Sequence, residues 1–447
     1  MGWLGQFRRK GQKKPGKEIH EYDFGRFSDA FKSAEKYRYW EESLLLFDQG
    51  KRFSAFKQFF KYLTNKKGKN IKVSQLHGIL HFELIQGSKK ITGLIDQNLI
   101  KVQAVLAQSA RYDSALLIEL LQENYNLKFC KFALEPVTDS DDFILKLVAD
   151  LPAKLTSPYK LYHVLRELAL VADKEDDLMF VQYQLKGPNY DYLIHPLPEE
   201  IKEVYFQYIQ NVFRKVLEVR DHQEIDTEEY PSAFRYLLLA AVYKVDFLVK
   251  PEGYLMDQFE RIDGLAFSSQ GTNPNLVNQE IVSIIEEILQ RNQSFIKIEL
   301  YLTDATFGFN PVIQSAQIRD TIYSELPTMD WYVDHGHEEY AISIVDFIVG
   351  YLLFNFIVPP PCKALFLLYY RIREPQFFKE LGYNEPVFFD GKLASSTIKK
   401  EIKKVLAGFS DSFPHADAPV QMLEYDSLPV FYKSYLEMVA EINFTPK

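Results

Sequence analysis

Cysteine is scarce in this chain. Only Cys130 and Cys362 occur among 447 residues. Two distant thiols make neither a disulfide framework nor a zinc site, so a reducing cytoplasm is the expected setting rather than secretion. An excess of positive charge is also missing: 52 Lys and Arg stand against 61 Asp and Glu, for a formal net charge of −9. Binding a phosphate backbone needs a basic surface, so this balance disfavours nucleic acid as the main partner. No apolar run follows the basic start MGWLGQFRRKGQKKPGK, so no secretory signal is read. Gly2 opens no myristoylation motif, because Gln6 stands where Ser or Thr is required. The phosphate-cradling patterns GxxxxGKS/T and GxGxxG do not occur, nor do HExxH and GxSxG. Ser, His and Asp show no spacing that implies a triad. The sequence therefore assigns no catalytic, cofactor-binding or metal-ligating residue, and no cofactor.

Aromatic residues are abundant instead, at 15% of the chain with 35 Phe and 28 Tyr. Rings in that number fill a core or serve as surface anchors for a partner. Hydrophobic content of 47% with 25% charged is that of a soluble globular protein. The length suggests two or three domains on a prior of about 150 residues each.

The most informative stretch runs from Asn124 to Asp177. It reads NYNLKFCKFALEP, an acidic loop from Thr138 to Asp142, FILKLVADLP, and then LTSPYKLYHVLRELALVADKEDD. Two apolar runs around a short polar loop predict a β-hairpin. Ser157 as N-cap and Pro158 in the first turn predict a helix start. Leu161, Val164, Leu165, Leu168, Val171 and Ala172 recur at helical spacing, so one face of that helix needs a sheet to cover.

Upstream, residues from about Glu35 to Thr64 read as two helices joined at Gly50, the second striped by Phe53, Phe56, Phe59, Phe60 and Leu63. The string GKRFSAFKQFFKYL is similar to the second helix of a tetratricopeptide repeat, an architecture that needs neighbouring copies. After a loop at Lys66, Lys67, Gly68 and Lys69, three strands follow. They hold Ile79 to Ile85, Ile91 to Ile95 and Leu99 to Leu106, with GSKK and Asp96 to Asn98 as turns. A helix near Asp113 carries Leu116, Leu117, Leu120 and Leu121.

The predicted order is helix, three strands, helix, two strands, helix. It describes an α+β domain, an antiparallel sheet with helices on one side. This order, with the motif NYNLKFCKFALEP…FILKLVADLP…KLYHVLRELALVADKEDD, resembles the type III secretion chaperone-like superfamily. It is most similar to the YbjN-type branch, described as sensory transduction regulators. The resemblance covers about Phe53 to Leu178. It implies a non-enzymatic, protein-binding domain. Chaperones of this shape are small, acidic and usually dimeric, and hold an extended client segment on apolar patches. The present chain is much longer than they are, and the resemblance carries no site residue across.

Tyr183 to Glu199, with Gly187, Pro188, Pro196 and Pro198, reads as a linker. Helical periodicity dominates afterwards: Ile201 to Leu217, Phe234 to Val249, Leu276 to Leu289 with Asn273 as cap, Gln314 to Leu326, Tyr340 to Val358, Ala364 to Arg373, Ser395 to Leu406 and Tyr425 to Ala440. Phe295 to Leu302 reads as a short strand or extended segment, and Pro359 to Pro361 as a helix stop. The expected partition is a basic, disordered tail over 1–34, the α+β domain over 35–185, a linker over 186–199 and an all-helical domain of hairpins over 200–447.

Four features invite chemistry. Tyr340 to Val358 is 19 residues long, enough to span a bilayer. Asp346 inside it and Asn355 near its end argue instead for a buried helix, since an intramembrane carboxylate costs about 2.5–3.5 kcal/mol. Asp334 to Glu339 gathers His335, His337, Glu338 and Glu339, a zinc-like set without a third distant ligand. It reads better as a loop, with its acids at a helix N-terminus. Trp3, Leu4 and Phe7 beside Arg8, Arg9, Lys10, Lys13 and Lys14 form either a solvated tail or a weak membrane-surface arm. Asp141–Asp142 and Asp176–Asp177 read as solvated loop or helix-end charge, or as a surface for a basic client.

The leading expectation is a cytoplasmic, chaperone- or adaptor-like module that binds a client polypeptide by strand addition or an apolar groove, without nucleic acid or membrane as partner and with its oligomeric state open. It predicts an exposed apolar patch larger than a few hundred Å². The alternative is a small-molecule or metal-dependent enzyme or sensor with a pocket in the helical half, where Asp346, His335 and His337 are the candidates.

Overall fold

The computed structural model describes residues 24–25, 31–65, 70–109, 114–137, 143–183, 185, 187–188, 190–222, 226–268, 273–303, 310–383, 388–389 and 392–447. The basic arm from Trp3 to Lys14, the lysine loop at Lys66 to Lys69 and the acidic loop from Thr138 to Asp142 lie outside the described residues.

Two helices open the first domain, α1 (Ala34–Asp48) and α2 (Arg52–Leu63). The Ser33 hydroxyl accepts from the Lys36 N–H and so satisfies one orphan donor of the first turn. Four strands follow, β1 (Ile71–Leu76), β2 (Ile79–Gln86), β3 (Lys89–Ile95) and β4 (Leu99–Ser109). Helix α3 (Ser114–Asn126), strands β5 (Lys131–Pro136) and β6 (Phe143–Pro152), and helix α4 (Pro158–Tyr183) complete the unit. The six strands form one antiparallel sheet in the order β1-β2-β3-β4-β6-β5. The fold class is therefore α+β as expected, with one strand more than the sequence reading allowed. The extra strand is β1, an edge whose residues after Ile71 are all exposed. It carries almost no apolar alternation to read.

The sheet is two-faced because its register aligns apolar residues in rows. One row crosses all six strands: Ile71, Leu84, Ile91, Ala104, Leu147 and Phe132. All six are buried. The neighbouring row of Lys72, Glu83, Thr92, Gln103, Val148 and Lys131 faces the other way and is largely polar. Leu161, Val164, Leu165, Leu168 and Ala172 of α4 lie on the apolar face, joined by Phe56, Phe59, Phe60 and Leu63 of α2. Each fully covered Leu, Val or Phe is worth about 1.5–3 kcal/mol. The Ser157 hydroxyl accepts from the Lys160 N–H, the cap its position predicts. The aromatic stripe of α2 is thus core of the sheet, rather than part of a tetratricopeptide array. Asp176 and Asp177 fall inside α4, not at its end.

The polar residues of the informative stretch act as staples. The Glu167 carboxylate accepts from the backbone N–H groups of Lys128, Phe129 and Cys130 and from the Cys130 thiol, tying the α3–β5 loop to α4. These hydrogen bonds hold its pKa below the ordinary value, although burial alone would raise it. Asp173 accepts from Ser88 N–H and from the Gln86 amide. It fixes the β2–β3 turn at Gly87, where φ is +52° and a Cβ would meet the Asp173 carboxylate.

The second domain is mostly helical. It comprises β7 (Ile194–Pro196), α5 (Glu199–Asp221), α6 (Pro231–Val249), α7 (Gly253–Ser268), α8 (Pro274–Gln290), α9 (Gln293–Ile298), β8 (Tyr301–Thr303), α10 (Ser315–Asp334), α11 (Glu338–Asn355), α12 (Pro360–Arg373), α13 (Pro375–Glu380), β9 (Phe388–Phe389), β10 (Lys392–Leu393), α14 (Ser395–Ala407) and α15 (Leu428–Ala440). It is not wholly helical: β7 pairs with β8, and β9 with β10. The expected linker is therefore tied down, His195 lying opposite Leu302. The segment Phe295 to Leu302 is the end of α9 followed by β8, rather than one extended piece. Pro360 begins α12, so the proline run opens a helix as well as closing one.

Helices α6 and α11 cross at the centre, with most of their residues buried. Gly350 permits their approach, since a Cβ there would sit 2.6 Å from Tyr243 Cβ. Among the described residues no helix is long and apolar enough to cross a membrane. The domains touch where α4 meets α7, with an ion pair between Lys174 and Asp257. Part of the expected tail is also ordered. Phe24 is buried in the helical domain among Phe247, Phe378 and Tyr383, and Gly25 N–H donates to Phe247 C=O at 2.9 Å.

Candidate functional site

Two surfaces stand apart from ordinary packing. The first is the outer side of α3. Helical spacing divides its apolar residues into two stripes. Leu116 and Leu120 point into the core. Leu117, Ile118, Leu121 and Tyr125 share the opposite arc and are exposed, Leu121 to 70% and Tyr125 to 92%. Phe129, Leu134 and Phe143 are exposed at the same β5–β6 end of the sheet. Of the four leucines read on this helix, 116 and 120 are buried and 117 and 121 face solvent. Beside this ridge, the open edge of β5 is partly closed. Asn124 Oδ1 accepts from Phe132 N–H at 2.6 Å, and Asn124 Nδ2 donates to Phe132 C=O at 3.3 Å. A side chain thereby occupies the groups an added strand would use.

The second surface is a cavity of about 530 Å³ in the helical domain, between α5, α6, α11 and the α12–α13 corner. Its floor is a buried charge cluster. Asp346, from the middle of α11, is 3% exposed. Its Oδ1 accepts from Tyr369 hydroxyl at 2.5 Å, and its Oδ2 lies 3.3 Å from Arg373 Nε and 3.5 Å from Lys244 Nζ. Lys244 Nζ also reaches Glu374 Oε1 at 2.6 Å. Two acids and two bases therefore balance. Burial alone would raise the Asp346 pKa, but Lys244 and Arg373, with the Tyr369 hydrogen bond, hold it below the ordinary value. Burial likewise works against charged Lys244, yet Glu374 and Asp346 raise its pKa. Asp346, Lys244 and Arg373 stay ionised, as buried charges do only when paired.

Above the floor stands Tyr208 of α5. Its ring packs on Phe377 with centroids 4.2 Å apart. Burial, followed by the negative charges of Glu374 and Asp346, pushes its pKa well up, so the hydroxyl keeps its proton. That hydroxyl is buried and has no hydrogen-bond partner among the described residues. The remaining wall mixes Val212, Val216, Leu237 and Phe377 with Asn211, Lys215, Glu339 and Glu380.

Of the three candidates in the helical half, the cavity takes up Asp346 and leaves the histidines outside. The His335 ring stacks on Trp331 at 4.1 Å, and its Nδ1 lies 2.7 Å from Trp331 C=O. His337 is the residue before α11 and packs against Tyr340. Glu338 and Glu339 sit in the first turn of α11, where the helix dipole favours them. Among the described residues no group of three or more His, Cys, Asp or Glu is arranged to hold a metal ion. Lys244, Arg373, Glu374 and Tyr208 escaped the sequence reading. Lys244, Arg373 and Tyr208 sit inside helices and Glu374 at the α12–α13 junction, and the local signal was the carboxylate of Asp346 inside an apolar run. Compared with known proteins, the chain matches no family model and no curated relative.

Proposed function

We propose that the protein is a non-enzymatic binding module of the type III secretion chaperone-like kind, acting in the cytoplasm. Its α+β domain holds an amphipathic helical segment of a client polypeptide against the outer face of α3. The observation that carries this reading is the ridge of Leu117, Ile118, Leu121 and Tyr125, which presents large apolar side chains to water at the spacing one helix offers another. Covering each of them is worth about 1.5–3 kcal/mol before the costs of association. A helical client fits better than an added strand, because Asn124 already occupies the Phe132 backbone at the adjacent edge.

The test places a photo-crosslinking residue at Ile118 in native cells and maps the adducts. A discrete client joined through an amphipathic helix is expected, and Leu121→Glu should abolish the adduct while leaving the melting temperature unchanged. If the purified protein is instead a dimer that Leu121→Glu converts to monomers, a second copy covers the ridge and the client reading falls. Absence of any polypeptide adduct also overturns it.

A further inference from the structure

The two hydrophobic cores are closed on themselves. Among the described residues, the buried apolar side chains of the sheet domain form one cluster, and those of the helical domain, with Phe24, form another. Phe31, still on the helical side, packs on Phe413. Past it, the described side-chain pairs that cross between the domains are cationic. Lys174 of α4 pairs with Asp257 of α7, and both side chains are reached by solvent. At the tip of the β2–β3 hairpin, Lys89 and Lys90 hold their ammonium groups 5.6 and 5.9 Å from the centre of the Tyr190 ring. Tyr190 leads into β7, which β8 ties to the helical domain. The hairpin tip thereby grips the chain where it enters the second domain. Lys89 is buried there to 2% exposure, a burial that lysine tolerates only when its charge is met.

We infer that these contacts form a salt-sensitive lock between the domains: at low ionic strength they hold α4 against α7, and at high ionic strength the domains part without either unfolding. The physical reason is a difference in what salt does to each kind of contact. Solvent-reached ion pairs and ammonium–ring contacts are electrostatic, weak one by one, and screened by added ions. Burial of apolar surface is not screened, and here each apolar core lies within one domain. Salt therefore loosens the seam before it touches either core. The lock concerns how the domains are arranged, and it stands independently of what the α3 ridge binds.

Small-angle scattering of the full chain in KCl tests this. Raising the salt from about 0.1 M to about 1 M shortens the screening length from about 10 Å to about 3 Å. The radius of gyration should start at about 22 Å, the value for one compact body of this length, and rise with salt while the circular dichroism stays constant. Lys174→Gln combined with Tyr190→Leu should show the expanded radius already at low salt. The charge-swapped variant Lys174→Asp with Asp257→Lys should restore the compact, salt-responsive form, which a lysine needed only for packing would not allow. Lys215→Gln breaks an ionic contact with Glu339 inside the helical domain and should leave the radius unchanged. A radius indifferent to salt, a compact Lys174→Gln/Tyr190→Leu variant, or a charge swap that fails to restore compaction overturns the inference. So does expansion in Lys215→Gln, or loss of helical signal along with the expansion.

Discussion

A charged residue in the middle of α11 survives burial because two other helices, α6 and α12, bring partners to it. Removing Asp346 leaves Lys244 with Glu374 alone and strips Arg373 of its partner. Asp346→Asn should therefore destabilise the helical domain by about 3–5 kcal/mol in a chemical denaturation titration. The pH dependence has a definite sign. The folded pKa of Asp346 lies below its unfolded value of about 3.9. Its contribution is thus fully present above that value and is lost as pH falls through the lower, folded one. The wild type should hold its stability down to about pH 4 and lose it below, with a shallower acid limb in Asp346→Asn. At this scale the sequence was half legible. Asp346 stood out because a carboxylate interrupts an apolar run. Its partners did not, since Lys244 and Arg373 lie over 25 positions away and their pairing depends on how α6 and α12 cross α11.

Elements were legible where one face repeats and illegible where it does not. Helix α4 announced itself through Ser157, Pro158 and five buried residues at helical spacing, and β4 through alternation. Strand β1 was missed because only Ile71 of its six residues is buried. Helix α7 was missed although Leu255, Phe259 and Ile262 are fully buried, because Asp257, Glu260, Arg261 and Asp263 dilute the pattern. Pairing of β7 with β8 joins segments about a hundred residues apart, which no local signal encodes. In α3 the leucines were seen, but spacing alone cannot say which of two adjacent apolar stripes faces the sheet. The β5 edge yields a prediction at this scale. Asn124→Ala removes two hydrogen bonds to Phe132, at a cost of about 1–2 kcal/mol in a urea titration. It also bares the edge backbone, so light scattering should show self-association that the wild type lacks. A variant as stable and as monodisperse as the wild type would mean that water replaces the asparagine at no cost.

For the molecule as a whole, the chain passes between the two cores twice. It runs from Phe24 in the helical core to Trp40 and Phe47 against the sheet, and returns after α4 through β7. Two connections, together with the Lys174–Asp257 pair, restrain relative domain motion more than a single linker would. This arrangement was hidden in the sequence because Phe24 lies among charged residues beside a basic, glycine-broken start. Its burial depends on a socket formed by Phe247, Phe378 and Tyr383 from distant helices. Replacing the ring empties that socket, and Phe24→Ala should cost about 3–5 kcal/mol if the neighbours do not collapse into the space. The effect should be local. Hydrogen exchange should quicken at the end of α6 and in α13, which carry Phe247 and Phe378, while the β2–β3–β4 amides keep their protection. Faster exchange confined to the sheet, or none anywhere, would show that the Phe24 contact does not hold the N-terminal segment to the helical domain.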